Sequence, residues 1–423
     1  MILYYLFLFL IPFQQHPILG AQLVSIAGFP ITPIKVLGFL MVAVSMVVAR
    51  PKDAAPRPPS GIFILVAAFA IYPVIGTVLS FQPFPGHVLS TFFSFIILMV
   101  ATNNLICTPQ RLQYTIRAAV LAETFASTWL YKQYYIYHWS RPMGPSSDPN
   151  YEALSLVLTV PLAIWLALYE ERPAWRRTGL VCAPILAFAV FVSQSRGGLL
   201  ALVVISLLGW TASRYKFRLA VALIVGATLL LVLGPASMRE RLQQIRFGGP
   251  IASGPELSTW SRWELAVAAI HMMEAHPVFG IGLDQFKHEE VRYNPHLITA
   301  DPYPHITHNT YLQLGAEGGL PTMFLYLAIL FITLSTCREV EKSPGASRDL
   351  ASLAYFMRIG IIGYMVAAIF LSAQFVKEPW VFIALAPNMH ILAFYKTSGR
   401  KRARRPSPVG SPQRVLTTRY DAG

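Results

Sequence analysis

Residues 178–213 read TGLVCAPILAFAVFVSQSRGGLLALVVISLLGWTAS, two apolar stretches on either side of Arg196. Neither stretch carries a charge of its own, and each is close to the roughly 17 to 25 apolar residues that cross a bilayer as a helix. The segment therefore predicts two transmembrane helices joined by a very short turn, although the pair could be misread as one long segment.

The same pattern extends over the whole chain of 423 residues, which is 55% hydrophobic and only 13% charged. Soluble domains carry about 25% charged residues, so repeated membrane spans explain this composition best. The predicted fold class is all-α, a polytopic membrane helix bundle of about twelve transmembrane helices that forms one transmembrane domain, 1–395. Gln14, Gln15 and His16 interrupt the first span, so whether it crosses fully is left open. The predicted spans are 2–19, 32–49, 60–80, 87–107, 113–135, 152–169, 178–193, 197–213, 218–236, 319–337, 351–372 and 379–395.

Basic residues set the predicted orientation, because short cytoplasmic loops are enriched in Lys and Arg. With twelve spans and a cytoplasmic N-terminus, every basic run lies on the cytoplasmic side, and so does the C-terminus. A net charge of +14 would favour nucleic-acid binding in a soluble protein, but the chain has no such motif. We therefore predict no nucleic-acid partner. The runs are Arg50/Lys52/Arg57, Arg111/Arg117, Arg172/Arg176/Arg177, Arg214/Lys216/Arg218, Arg338/Lys342/Arg348 and Arg400–Arg405.

The longest outward connection is 237–318, which we predict to be a large, partly helical periplasmic loop holding six of the ten histidines. Connections of about 80 residues are usually functional or disordered, and the aromatic residues here argue against disorder. Ser261 to Glu264 resembles a capping box that opens a helix running to about Ala275. The tail, 396–423, is basic and rich in Pro, Ser and Gly, which predicts a disordered cytoplasmic end near anionic lipid.

Two arginines are candidate ligands for an anion. Arg196 either snorkels to the membrane surface in a tight turn or binds a lipid phosphate, for which its guanidinium offers a bidentate fork. The spacing alone slightly favours the first role. Arg262 lies between Trp260 and Trp263 at the predicted start of the loop helix. It either faces solvent beside two interfacial tryptophans or joins a helix N-terminus in binding an anion.

A third candidate is the segment with His305, His308 and Asn309, just before the tenth span. Two histidines three residues apart could bind a metal, but no carboxylate joins them at a matching spacing and HExxH is absent. The three cysteines are widely spaced and form no CxxC. We therefore predict no metal and no cofactor. Two roles remain, polar residues that cap the span, and a histidine that acts as a general base or hydrogen-bond donor.

Two other segments carry weaker signals. Arg141 leads to Asp148-Pro-Asn150, whose composition predicts a turn and the start of a helix. Gly280-Ile-Gly282 resembles part of a dinucleotide fingerprint, but no strand precedes it and the third glycine is missing, so that interpretation is rejected.

Taken in order, these motifs resemble the O-antigen ligase and O-antigen polymerase superfamily. The resemblance covers about 140–340, and the first four spans match it only in hydropathy. Pro321-Thr322 stands where relatives often have a second glycine. The motifs are Ser193-Gln-Ser-Arg-Gly-Gly198, Arg262 with His276-Pro-Val-Phe-Gly-Ile-Gly282, and His308-Asn-Thr-Tyr-Leu followed by Glu317-Gly-Gly-Leu-Pro321.

The resemblance implies a metal-independent glycosyltransferase of lipopolysaccharide assembly in the bacterial inner membrane, acting on the periplasmic face. Its donor would be an undecaprenyl-diphosphate-linked glycan, and its acceptor lipid A-core or a similar lipid or glycan. Arg196 and Arg262 would hold the diphosphate, and His308 would activate or orient the acceptor hydroxyl. Arg141, His305 and Asn309 would be supporting residues, and membrane lipids would surround the bundle.

Other functions stay open at this point. Chain polymerases and protein O-glycosylating relatives share these motifs, so the acceptor cannot be identified from the sequence. A secondary transporter would fit twelve spans, but we find no inverted repeat and almost no charges at mid-depth. A non-enzymatic scaffold would not need Arg196, Arg262 and His308 to converge.

Overall fold

The computed structural model describes residues 1–16, 18–26, 29–83, 85–213, 215–234, 255–295 and 305–403. These residues form a nearly all-α bundle, with one antiparallel hairpin of β1 (Val24–Ile26) and β2 (Phe29–Ile31) in which Ser25 lies opposite Pro30. The helices are α1 (Ile2–Leu10), α2 (Pro33–Val47), α3 (Gly61–Leu79), α4 (Gly86–Leu105), α5 (Pro109–Tyr135), α6 (Pro149–Tyr169), α7 (Pro173–Val192), α8 (Arg196–Ala212), α9 (Lys216–Leu233), α10 (Pro255–Ala275), α11 (Phe286–Tyr293), α12 (Thr310–Lys342), α13 (Arg348–Ala367) and α14 (Glu378–Ala403).

Each of the twelve predicted spans overlaps a helix. Within the described ranges, six helices are long and apolar enough to cross a membrane, namely α3, α4, α6, α7, α12 and α13 with the turn that follows it. Helices α1, α2 and α8 are shorter and apolar. The chain is thus a multi-pass membrane protein, while the count of twelve spans and the orientation remain predictions.

Three predicted boundaries are wrong. The first apolar segment is helical only to Leu10, because Pro12 lies in a short 3-10 turn that ends the helix. The loop helix begins at Pro255, a residue favoured in a first turn, so the predicted capping box lies inside α10. Arg262 is therefore about two turns into the helix, and the argument from the N-terminal dipole does not apply to it. Helix α14 continues to Ala403, past the predicted start of a disordered tail, and the rest of the tail lies outside the described residues.

Helix α6 is the centre of the bundle and is buried along most of its length. Small residues let neighbouring helices approach it closely, as is common between membrane helices. A Cβ on Gly179 of α7 would lie 2.4 Å from the backbone of Ala167, and one on Gly360 of α13 would lie 2.7 Å from the carbonyl of Leu158. This packing holds α6 in a fixed position among its neighbours.

Arg117, which belongs to a predicted cytoplasmic basic run, is buried in an ion pair with Glu170. Its guanidinium donates three hydrogen bonds of 2.8 to 3.0 Å to the two carboxylate oxygens. Removing one partner of such a pair leaves a buried charge alone, so we expect Arg117→Ala to lower the free energy of unfolding by about 3 to 5 kcal/mol. Thermal unfolding in detergent measures this loss. Arg177→Ala, at an exposed arginine near the same membrane surface, should leave the melting temperature unchanged.

Cysteine labelling tests the predicted orientation. A cysteine at Gln285, near the start of α11, should react with a membrane-impermeant maleimide in intact cells. A cysteine at Ser407, in the tail, should react only after permeabilisation. The opposite pattern would reverse the whole orientation, because both positions follow from the same placement of basic runs.

Candidate functional site

Three helices begin at one place, on the predicted outer side of the bundle. Each starts with a side chain that accepts hydrogen bonds from the first free backbone N–H groups, which is the usual role of an N-cap residue. The caps are Asp148 for α6, Ser195 for α8 and Asn309 for α12. Helix N-termini carry partial positive charge and free N–H groups, so three of them together favour an anion.

The residue before each cap lies in the left-handed region of backbone conformation, which few non-glycine residues adopt. The φ angles are 60° for Ser147, 56° for Gln194 and 51° for His308. Each of these residues turns the chain sharply into its helix. His308 is thereby placed beside the first turn of α12 and not within it.

Side-chain hydrogen bonds join the three helix starts. Ser195 donates to the amide oxygen of Asn150 at 2.9 Å, which ties α8 to α6. Tyr151 donates to the carbonyl of Ser372 at 2.9 Å, and the hydroxyl of Ser372 lies 3.2 Å from that of Thr307. Helix α6 thus contacts both other starts, directly or through one residue.

Two glutamines that the sequence analysis did not single out position the loop of Arg141. The amide oxygen of Gln133, on α5, accepts hydrogen bonds from the backbone N–H groups of Met143 and Gly144 at 2.8 and 2.9 Å. Gln194 donates to the carbonyl of Ser140 at 2.6 Å. The second bond joins the turn before Arg196 to the residue before Arg141, which brings these two arginines to one place.

Arg262 reaches the same place from the loop helix α10. Burial is the main cause that lowers the pKa of Arg262, followed by the like charges of Arg196 and Arg141. Asp148 opposes this effect, but its carboxylate also caps α6. Arginine keeps its charge despite such shifts. Arg196 and Arg141 therefore lie near Arg262 together with one carboxylate, and three positive charges in one place favour a further anion.

His308 lies against this group of arginines. Its Nδ1 atom is buried and makes no hydrogen bond to any residue that the structure describes. Burial lowers the pKa of His308 to about 4, and the nearby charge of Arg262 is the next cause. The imidazole is therefore neutral near pH 7 and can accept a proton from a hydroxyl group placed beside it.

His305, the other predicted supporting histidine, is held by Glu290 of α11. The carboxylate accepts a hydrogen bond from the backbone N–H of His305 at 3.1 Å and lies 3.3 Å from its Nδ1 atom. Burial raises the pKa of Glu290, while the hydrogen bonds from His305 lower it. Nothing in the sequence pattern pointed to Glu290. The pair fixes the segment that leads to His308.

The remaining candidates have structural contacts. The amide oxygen of Asn309 caps α12 by accepting from the N–H groups of Tyr311 and Leu312, both at 3.0 Å. His271 and His276 each hydrogen-bond to Tyr293, and so join α10 to α11. His296 lies outside the described residues. Across the described ranges, no group of three or more His, Cys, Asp or Glu side chains could hold a metal ion.

The motif with Gly280 packs directly on the motif with Gly319, inside α12. Both glycines have positive φ, and a Cβ on Gly319 would lie 2.1 Å from the carbonyl of Val278. Pro321 has no N–H to donate to the carbonyl of Glu317, which accepts from the N–H of Gly282 at 3.0 Å instead. Pro321 thus opens the helix for the loop to dock, a role that the sequence analysis did not assign to it.

Residues 181–327 match the family model described as O-antigen ligase. Over these residues the chain is similar to the O-antigen ligase family. The match confirms the resemblance and includes Arg196, Arg262 and His308, whereas Arg141 precedes it. No curated protein matched the chain. Members of the O-antigen ligase family are glycosyltransferase-like enzymes, and the family implies lipid-linked glycan substrates.

Proposed function

We propose that this protein is an O-antigen ligase-type glycosyltransferase, which moves a glycan from undecaprenyl diphosphate to an acceptor such as lipid A-core at the periplasmic face. The observation that carries the proposal is the gathering of Arg141, Arg196 and Arg262 with three helix N-termini around the neutral imidazole of His308. Positive charge for a leaving group and a base for a nucleophile are the two requirements of glycosyl transfer from a diphosphate.

The arginines would bind the diphosphate of the donor. As the bond between the sugar's anomeric carbon and the diphosphate oxygen breaks, the oxygen keeps the electron pair and its negative charge grows. Fixed cations that are already in place stabilise this charge without reorganisation. Arg196 and Arg262 suit the task because a guanidinium can bind two phosphate oxygens at once.

His308 would act on the acceptor. Its neutral imidazole takes the proton of the acceptor hydroxyl as that oxygen forms a bond with the anomeric carbon. Undecaprenyl diphosphate leaves with the electrons of the broken bond, and the imidazolium returns its proton to water. The proposed reaction needs no metal ion, because guanidinium groups and helix N-termini supply the positive charge that a metal would otherwise provide.

Glycan analysis of a deletion strain tests the reaction. We expect surface glycan to be lost while full-length lipid-linked chains accumulate in the membrane. Single unpolymerised repeats would instead identify a chain polymerase of the same superfamily. A strain with unchanged surface and lipid-linked glycans would contradict both forms of the proposal. The wild-type gene on a plasmid should restore the parental pattern.

A further inference from the structure

An apolar groove of about 410 Å³ lies at the outer ends of α2 and α4, beside α1. Phe7, Phe39, Phe93 and Ile97 line its lower part. Phe39 and Phe93 are each 51% exposed, so they face the lipid where the helices cross the membrane. The groove is therefore open to the bilayer and extends from its outer surface inward.

Two lysines stand at the outer end of this groove. Lys35 donates hydrogen bonds to the carbonyl of Pro30 at 2.8 Å and to the hydroxyl of Ser90 at 2.7 Å, which fixes its ammonium group. Lys377 is only 8% exposed, and within the described part of the chain its ammonium makes no hydrogen bond or ion pair. Burial lowers the pKa of Lys377 to about 8, with the charge of Lys35 adding to the effect and Glu378 opposing it. The ammonium group of Lys377 is thus mainly charged near pH 7.

The lysines also line a second, more polar chamber of about 280 Å³. Ser146, Tyr151 and Ser372 belong to its wall. Ser372 and Tyr151 are hydrogen-bonded to each other, and Ser372 contacts Thr307, the residue before His308. The groove and the chamber thus share both lysines, and the chamber reaches Ser372, which contacts the segment that carries His308.

The lysines and the arginines form two separate groups of cations. Arg262 is influenced by Arg196 and Arg141, whereas Lys377 is influenced by Lys35 and Glu378. A single diphosphate on the arginines leaves the lysine pair for a second anion. Charge at one end and apolar surface along the rest match an amphiphile with an anionic headgroup.

On the basis of the proposed function, we propose that this groove and the lysine pair bind the acceptor, a membrane amphiphile with an anionic headgroup. Its apolar chain lies along α2 and α4, and its headgroup contacts Lys35 and Lys377. Its accepting hydroxyl extends through the polar chamber to His308. The donor diphosphate occupies the arginines at the same time, so the two lipids meet from different sides of the active site.

Lipid binding to the purified full-length protein in detergent tests this proposal. The probes are dioleoyl phosphatidylglycerol, dioleoyl phosphatidylcholine with the same chains, and undecaprenyl diphosphate, each measured by native mass spectrometry. We expect Lys377→Gln to weaken the binding of phosphatidylglycerol about tenfold, because a charge-assisted contact is lost. The binding of phosphatidylcholine and of undecaprenyl diphosphate should be unchanged. Lys377→Arg should retain most of the binding. Arg262→Gln should weaken the binding of undecaprenyl diphosphate and leave the binding of both phospholipids unchanged.

Filling the groove provides an independent variant. Ser94→Leu adds bulk at the groove wall and should weaken both phospholipids. Thr228→Leu is its control, because Thr228 also bonds to a carbonyl of its own helix but lies on the exposed face of α9. Thr228→Leu should bind every probe as the wild type does. Monodisperse elution in detergent shows that each variant is folded. If Ser94→Leu does not fold, Lys377→Gln still tests the proposed site.

Three results would overturn the acceptor site. If Lys377→Gln bound phosphatidylglycerol with the affinity of the wild type, the lysine pair would not be the headgroup site. Displacement of phosphatidylglycerol by undecaprenyl diphosphate, together with loss of the latter in Ser94→Leu, would assign the groove to the donor chain. Loss of phospholipid in Lys377→Gln with unchanged surface glycan in cells would make the lipid structural. If Arg262→Gln bound undecaprenyl diphosphate normally, the proposed donor site would be wrong, whereas the acceptor site at the lysines would be unaffected.

Discussion

Replacing His308 should slow glycan transfer by about 10² to 10⁴, the usual contribution of a positioned acid–base group. The substitution for this test is His308→Asn, because His308 has a φ of 51° and asparagine adopts that region more readily than alanine. It removes the base without straining the turn before α12. Transfer in isolated membranes measures the loss, and undecaprenyl diphosphate binding to the purified variant should stay near the wild-type value.

Two further variants separate the roles of the imidazole. His308→Gln keeps a hydrogen-bonding group but cannot act as a base at neutral pH, so it should be nearly as slow as His308→Asn. His305→Ala should have a smaller effect, because that residue supports the segment through Glu290, and His271→Ala the smallest. Full activity of His308→Gln would show that the histidine at most orients the acceptor. The arginines would then have to support the reaction by stabilising the leaving group.

The pH profile carries an independent signature of this base. The pKa of His308 is about 4 in the free protein, so the neutral form is complete above about pH 5 and is lost as the pH falls through 4. We therefore expect kcat/KM to fall only at strongly acidic pH. Bound diphosphate places negative charge nearby and raises this pKa, so the acidic limb of kcat should lie at higher pH than that of kcat/KM. The limb should be absent in His308→Gln.

Arg196→Lys and Arg262→Lys should each lower transfer about 10- to 100-fold. Lysine retains the positive charge but cannot form the bidentate contact with phosphate, and one hydrogen bond to a charged group is worth about 1.5 to 3 kcal/mol. The loss should appear in kcat as well as in donor binding, because charge on the leaving oxygen grows in the transition state. Transfer rates and undecaprenyl diphosphate affinity measure the two effects.

Arg292→Lys is the matched control for these variants. Arg292 lies on α11, where its side chain is 75% exposed and pairs with Glu289 at 3.2 Å. It should transfer glycan at the wild-type rate. Normal rates for both Arg196→Lys and Arg262→Lys would indicate that the two arginines only anchor the chain at the membrane surface, and the diphosphate assignment would be wrong.

The difference between predicted and observed helix ends has a local cause. A capping box was read at Ser261, yet α10 begins at Pro255, because the sequence between them contains no residue that stops a helix. The sequence analysis assigned no role to Pro321, but this proline leaves the carbonyl of Glu317 free to accept a hydrogen bond from the N–H of Gly282. The capping box was wrong because of residues close to it in the sequence, whereas the role of Pro321 depends on Gly282, which is distant in the sequence.

Some properties of this protein follow from the sequence by itself. In a bilayer each helix must satisfy its own backbone hydrogen bonds, so runs of apolar residues predict helices without any knowledge of their partners. For this reason each of the twelve apolar segments overlaps a helix. The order of Arg196, Arg262 and His308 was likewise sufficient to indicate the O-antigen ligase family, which the match over 181–327 confirms.

The tertiary structure alone decided the properties that depend on proximity. The lowered pKa of His308 arises from burial and from Arg262, which lies 46 residues earlier in the numbering of the chain. Glu290 and Gln133 acquire their roles only because helices α11 and α5 lie beside the turns that they support. Lys35 and Lys377 form a pair for the same reason. Burial and electrostatic interaction depend on distance in space, and a sequence read along the chain contains no such distances.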